Sequence, residues 1–415
     1  MSEMAITPAR PVKLSGVRVF FLVVTCALIM LLEGFDIQAM GIAAPKVMPM
    51  LHLDAIQAGQ IFSAGQAGVV AGALLGGMLS DAWGRRNMLL LGVLLFGAFS
   101  IATNFADGYA TLMAARVLTG FGLGMAMPNV IGLAVDVASP KTRVKMVTAI
   151  MAGMPLGGAA VSLFATLYLK QLGWHALFYV GGLIPLALVL PILILPNTRG
   201  AGEAKASEGA HEGSVLSALF GGGRALSTLL LWIVFFLTSS VLYMMLNWLP
   251  SLMTVRGYDI EVAHLSSLVF NLVSVFGTLL MGGIVDRYGY RWAMPLAYIG
   301  FLAGICGMAF TSGVTALLVS AGVTGFFLLG AQYSLGGVSP MYYPKAFRGL
   351  GTGVAIAFGR VGSITGPLMA GYVLKDGLGP FEKGPAGVAM AMIPVVIVAG
   401  LAVWLLTRLA RIMED

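Results

Sequence analysis

An apolar stretch of about twenty residues recurs along this chain and limits what it can fold into. It appears twelve times, at about residues 17–39, 55–79, 88–105, 109–135, 145–168, 174–195, 225–252, 263–285, 293–312, 316–342, 350–374 and 386–407. A helix rises about 1.5 Å per residue, so about 20 residues cross the ~30 Å hydrocarbon core of a bilayer. Every backbone N–H and C=O must be paired there, which a single strand cannot do for itself. The sequence therefore predicts an all-α integral membrane protein with twelve transmembrane helices. Only 10% of residues are charged, against about 25% in a soluble domain. The first stretch is too long for a cleaved signal peptide and is followed by no small-residue cleavage pattern, which predicts a retained anchor.

The net charge of +7 is best explained by where the charges sit. With the N-terminus in the cytoplasm, 17 of the 24 Lys and Arg residues fall on the inner side, and 5 on the outer. That asymmetry predicts cytoplasmic termini in a cell inner membrane, and it accounts for the basic charge without nucleic acid. Cys26 and Cys306 lie in apolar spans and make no redox or metal motif. His52, His175, His211 and His264 lie in or beside loops, which disfavours a membrane-embedded haem. No cofactor and no enzymatic activity are expected. A ligand-binding receptor would carry a sizeable soluble signalling domain, and no loop or tail exceeds about 30 residues.

The longest polar stretch, 196–224, contains RGAGEAKASEGAHEGS and has little to bury, so it predicts a flexible linker. It separates a six-helix bundle in 1–195 from another in 225–415. The two parts echo each other. GMLSDAWGRR at Gly77–Arg86 returns 205 positions later as GGIVDRYGYR at Gly282–Arg291, and Thr119–Phe121 returns as Thr324–Phe326 at the same offset. SPKTR at Ser139–Arg143 is echoed by YPKAFR at Tyr343–Arg348. A duplicated six-helix unit points to a transporter with its site near the midplane, between the repeats.

The duplicated GxxxDxxGRR loop resembles the signature of the major facilitator superfamily, and ARVLTGFGLG at Ala115–Gly124 is similar to its fourth-helix motif. Glu33-Gly34-Phe35-Asp36, Pro128-Asn129 with Asp136, Trp248-Leu249-Pro250, Gly330-Ala331-Gln332 and the Arg348–Pro367 pattern resemble the aromatic acid:proton symporters. EGFDIQAMGIAA and GQIFSAG are most similar to the hydroxyphenylpropionate permeases among them. The resemblance covers essentially the whole chain. Ala82 stands where the superfamily loop usually has Arg, Glu33 where Asp is commoner, and Asp136 where Glu is commoner. The resemblance implies a proton-coupled secondary transporter that imports an aromatic carboxylate by alternating access, acting as a monomer. The alternatives are a carrier of another organic anion and a drug/proton antiporter, whose helix-5 motif GMPLGG at 153–158 partly resembles.

Four ionisable side chains lie well inside the predicted spans: Glu33, Asp36, Arg116 and Arg360. A charge at the bilayer centre costs about 2.5–3.5 kcal/mol, so each is a functional candidate. Glu33 and Asp36, three apart on a helix, share a face, and like charges in a dry cavity raise each other's proton affinity. They are the proton-coupling candidates with Arg116. Alternatively, one acid braces Arg116 as a fixed ion pair, a part that falls to Glu33 more readily. Arg360 has the fork to hold a substrate carboxylate, or else locks helices together. Asn129, Asn247 and Gln332 could read a hydroxyl or carboxylate, while Tyr243, Trp248 and Tyr333 could stack on a ring or simply pack. Asp81, Arg85, Arg86, Asp136, Asp286, Arg287, Arg291 and Arg348 are candidate gating residues, or topology determinants only.

Overall fold

The structure is a computed structural model that describes residues 15–139, 142–198, 215–344 and 347–409. Arg10, Lys13, Lys141, Arg199, Lys205, His211, Lys345 and Arg411, together with most of the linker, lie outside the described residues. The elements are α1 (Gly16–Met50), α2 (Ala55–Trp83), α3 (Arg85–Ala102), α4 (Tyr109–Val137), α5 (Arg143–Met151), α6 (Gly153–Leu172) and α7 (His175–Ile194). Next come α8 (Val215–Phe220), α9 (Ala225–Val255), α10 (Ile260–Tyr288), α11 (Tyr290–Phe310), α12 (Val314–Val338), α13 (Arg348–Asp376) and α14 (Pro385–Leu409). Twelve spans are long and apolar enough to cross a membrane among the described residues.

The punctuation follows local chemistry. Asp54 caps α2 by accepting from the backbone N–H of Gln57, whose side chain reciprocates. The duplicated loop turns at Gly84 and again at Gly289, 205 positions on, with φ of 86° and 78°. Only glycine enters that left-handed region without strain, so one turn geometry serves both halves. Two local details add to the expected elements. The span expected over 145–168 is found over Lys145–Leu172, interrupted at Ala152 between α5 and α6, and Pro155, which has no N–H to donate, sits in the first turn of α6 where none is needed. The predicted linker contains the short helix α8, whose Leu219 is buried and accepts at its carbonyl from Thr228 Oγ1 at 2.6 Å.

Packing repeats with the sequence. Helix α2 lies along α4, α3 packs on α4 and α7, and α1 packs on α6; correspondingly α10 lies along α12, α11 on α12 and α14, and α9 on α13. Small residues permit this closeness. A Cβ at Gly72 would meet the carbonyl of Phe121, and one at Gly277, in the equivalent helix, the carbonyl of Phe326. Large apolar side chains such as Leu74, Leu183, Phe276 and Leu401 are exposed on the outside, where lipid replaces water as the solvent.

Successive spans alternate direction, so Ser15 and Leu409 lie at one end of the bundle, here termed the terminal end. At the opposite end the halves touch through α1 with α9, α2 with α13 and α6 with α10. Ser63 Oγ donates to the Ile364 carbonyl at 2.6 Å, and the Phe62 ring meets Trp248 edge-on at 5.2 Å. Lys375 pairs with Asp54 at 2.9 Å and Lys170 with Glu261 at 3.5 Å. Toward the terminal end a cleft of about 790 Å³ parts the halves, lined by Ile131, Thr148 and Met151 on one side and Thr278, Asp286 and Ser334 on the other.

Candidate substrate cavity

Where α1 crosses α6, Gly34 lies so close that a Cβ would meet the Met154 carbonyl. That crossing fixes the rotation of α1 and so decides where its two acids go. Asp36 turns into the first half. Arg116 Nη2 donates to its Oδ2, Ser100 Oγ donates to its Oδ1 at 2.7 Å, and the guanidinium lies 5.5 Å from the Phe178 ring centroid. The expectation that Glu33 is the better placed brace is corrected: Asp36 is the partner of Arg116. Glu33 is 1% exposed, and neither carboxylate oxygen has a hydrogen-bond partner. The cation whose field reaches it is Arg360.

Arg360 projects from α13 into a central cavity of about 240 Å³. Its Nη1 donates to Tyr243 Oη at 3.4 Å and its Nη2 lies 3.3 Å from Met127 Sδ. No carboxylate lies within ion-pair distance of it among the described residues. The walls are apolar, from Ile37, Met154, Phe235, Leu242, Leu329 and Ile356, and the polar groups are few: Gln38, Ser239, Tyr243, Asn271, Gln332, Tyr333 and Arg360. An apolar slot with one unmatched cation and scattered neutral hydrogen-bonding groups can take a small monoanion with a flat apolar body. Met151, Pro155 and Tyr333 line both this cavity and the cleft, so the two adjoin.

The sequence candidates divide. Arg360, Tyr243, Gln332 and Tyr333 line the cavity. Asn129 instead donates to the carbonyls of Gly76 at 3.3 Å and Met125 at 2.8 Å, tying α4 to α2. Trp248 is fully buried and donates from Nε1 to the Pro367 carbonyl at 2.9 Å. Asn247 donates to the Tyr243 carbonyl at 2.7 Å and lines, with Arg116 and Gln66, a chamber of about 20 Å³. Of the loop candidates, Arg85 pairs with Asp136 at 3.2 Å, and Arg86 donates to the carbonyls of Leu193 at 3.3 Å and Leu195 at 3.4 Å, all within the first half. Asp81 is exposed, and Asp286 lines the cleft. Arg287 lies 5.5 Å from the Tyr288 ring, Arg291 donates to Tyr290 Oη at 3.2 Å, and Arg348 donates to the Tyr343 carbonyl at 3.3 Å.

Sequence reasoning missed Gln38, Asn271 and Ser239. Gln38 and Asn271 exchange two hydrogen bonds, at 2.9 and 2.8 Å, across the interface of α1 and α10. Ser239 accepts from Gln332 Nε2 at 3.2 Å. A signal existed for the amides, since each is a lone amide inside an apolar run.

Comparison with known proteins gives the same picture. The Major Facilitator Superfamily profile matches residues 26–274 and 260–412. A 3-(3-hydroxy-phenyl)propionate transporter of Escherichia coli (strain K12) is 39% identical over 96% of this chain and 96% of its own length. A gallate transporter of Pseudomonas putida is 32% identical over 87% of this chain and 86% of its own. The 4-hydroxybenzoate transporter PcaK of the same organism is 31% identical over 83% and 84%. Among solved structures, a D-xylose–proton symporter superposes with a TM-score of 0.79 at 16% identity, covering 95% of this chain and 99% of that one. A nucleoside transporter superposes with a TM-score of 0.76 at 15% identity, covering 94% and 99%. At those identities the likeness is one of fold.

Proposed function

Because the chain belongs to the major facilitator superfamily, a multi-pass membrane transporter and not an enzyme, we propose that it imports a single-ring aromatic carboxylate together with a proton. The observation that carries this reading is Arg360, a guanidinium in an apolar cavity of about 240 Å³ with no carboxylate of its own. Drug-sized pockets run to about 300–1,000 Å³, so the volume suits one ring and a short side chain. The substrates named for the relatives, a hydroxyphenylpropionate, gallate and 4-hydroxybenzoate, share that chemistry.

The coupling follows from counting charges. Asp36 is already neutralised by Arg116, so of the two helix acids we assign the exchanged proton to Glu33, whose carboxylate has no hydrogen-bond partner. With Glu33 ionised, its field holds Arg360 and competes with an incoming carboxylate. With Glu33 protonated, that competition ends and the fork of Arg360 is free for two parallel bonds to the substrate. Proton and anion thus enter together and leave together.

The excess of basic residues at the terminal end supports placing that end in the cytoplasm, and we propose a cell inner membrane as its location. The arrangement described, joined at the opposite end and parted at the terminal end, is then an inward-facing one. Asp286 lines the cleft, and Asp81, Arg85, Arg86, Asp136, Arg287, Arg291 and Arg348 belong to the same end of the bundle by the direction of their helices, so we assign the contacts that close the cleft to this group. One chain encloses the whole cavity, so a monomer suffices.

The test is uptake of labelled 3-(3-hydroxyphenyl)propionate into proteoliposomes, with and without an imposed inward proton gradient. Accumulation should need the gradient and should be competed by aromatic monocarboxylates but not by their amides. Equal competition by an amide removes the role of Arg360.

A further inference from the structure

The reciprocal amide pair of Gln38 and Asn271 has no part in the account above, yet both residues line the central cavity. Its hydrogen bonding is incomplete in a telling way. Asn271 Nδ2 donates to Gln38 Oε1 at 2.8 Å and to the Ser267 carbonyl at 2.8 Å, which uses both of its N–H groups. Gln38 Nε2 donates once, to Asn271 Oδ1 at 2.9 Å, and keeps a second N–H. Each amide oxygen also retains a lone pair. The pair is 5% and 1% exposed. It is held from behind by α6, where a Cβ at Gly158 would run into Gln38 Nε2 and Asn271 Oδ1. Neither amide can turn away without breaking both bonds, so donor and acceptor are presented in fixed positions.

We infer that the Gln38–Asn271 pair reads a ring hydroxyl of the substrate, and so makes this a carrier selective for hydroxylated aromatic acids. The inference rests on the proposed aromatic-acid transport and adds the pole of the site opposite Arg360. A phenolic hydroxyl donates to one amide oxygen and accepts the spare N–H of Gln38, matching the pair in both directions. Gln332, the other amide in the cavity, is less suited. Its Nε2 makes one hydrogen bond, to Ser239, and its Oε1 has no partner, so its amide plane is not fixed by a reciprocal pair as those of Gln38 and Asn271 are.

Depth along the helices sets the length of the acid. Arg360 lies sixteen residues from the far end of α13, while Gln38 and Asn271 lie twelve and eleven from the corresponding ends of α1 and α10. At 1.5 Å per residue, with the three helix ends taken as level, the backbone of the amide pair is roughly 7 Å nearer the far end than that of Arg360. An acid whose carboxyl is carried on a two-carbon side chain bridges that separation better than one whose carboxyl sits on the ring.

The experiment measures binding to purified wild-type protein of 3-(3-hydroxyphenyl)propionate, 3-phenylpropionate, 3-(3-methoxyphenyl)propionate and 3-hydroxybenzoate. The hydroxylated phenylpropionate should bind about 3–10-fold tighter than the unsubstituted one, the value of one hydrogen bond. The methoxy acid, which cannot donate, should lose that advantage, and the hydroxybenzoate should be weaker than the hydroxyphenylpropionate. In the double variant Gln38→Leu/Asn271→Leu, which removes both partners at once, the hydroxyl-to-hydrogen ratio should fall to about one. A wild-type ratio of one, or a ratio unchanged in a folded double variant, overturns the inference while leaving the transport reading intact. Failure of all four acids to bind overturns the transport reading itself. If the double variant does not fold, a wild-type ratio of one still overturns the inference.

Discussion

Asp36 and Glu33 stand three residues apart and share one motif, yet the structure gives them different electrostatic surroundings. Asp36 is fully buried with a cation and a hydroxyl against it, and Glu33 is buried with neither. Removing one member of a buried ion pair costs about 3–5 kcal/mol, because the other charge is left uncompensated. Asp36→Asn should therefore lower gradient-driven uptake and substrate counterflow together, with less protein inserted. Glu33→Gln mimics the protonated acid permanently. It should abolish gradient-driven accumulation while counterflow persists, measured in the same proteoliposomes and normalised to inserted protein. The reverse pattern would return the proton to Asp36. Sequence singled out both acids from the cost of charge in lipid, but it could not assign them. Two residues about 60° apart on a helix can exchange roles if the helix rotates, and the rotation is set by Gly34 against Met154.

At the scale of elements, the start of α2 links a cap to the junction between halves. The backbone N–H of Gln57, and then the ammonium of Lys375, hold the carboxyl of Asp54 below the usual carboxylate range. A depressed carboxylate contributes its stability above its ordinary value of about 3.9, and that contribution fades only as pH falls below it. This contact therefore does not titrate between about pH 5 and 8. Asp54→Asn keeps the cap and drops the exposed, solvent-screened ion pair, so its uptake profile over that range should have the wild-type shape. Asp54→Ala also loses the cap, about 1 kcal/mol, and should melt lower in detergent than Asp54→Asn. Equal melting of the two variants would remove the cap from the account. The cap motif was readable in LDAIQ, and the break at Ala152 had a local signal in Gly153 and Pro155. The helix over Val215–Phe220 had none, since it is held by contacts with another element such as the Thr228 hydroxyl on the Leu219 carbonyl.

The whole molecule is joined at one end and open at the other, which is a statement about state as well as fold. In a background with Cys26 and Cys306 replaced by serine, Thr278→Cys lines the cleft and should react with an impermeant thiol reagent from the cytoplasmic face of vesicles. Labelling from the outer face alone would reverse the topology argued from the basic residues.

What the sequence determined by itself is whatever follows from the cost of lipid contact and from duplication. Twenty-residue apolar runs must be helices, most basic residues outside those runs fall in alternate loops, and a 205-residue echo must build two like halves. Those are one-dimensional quantities, carried by period, sign and offset. What tertiary structure decided is which side chains converge. It gave Arg116 to Asp36, left Arg360 unmatched in the cavity, withdrew Asn129 and Trp248 into helix contacts, and set Gln38 against Asn271 across 233 positions of chain. Such meetings depend on helix rotation and on how closely glycines let backbones approach, and neither quantity is written in the order of residues along one helix.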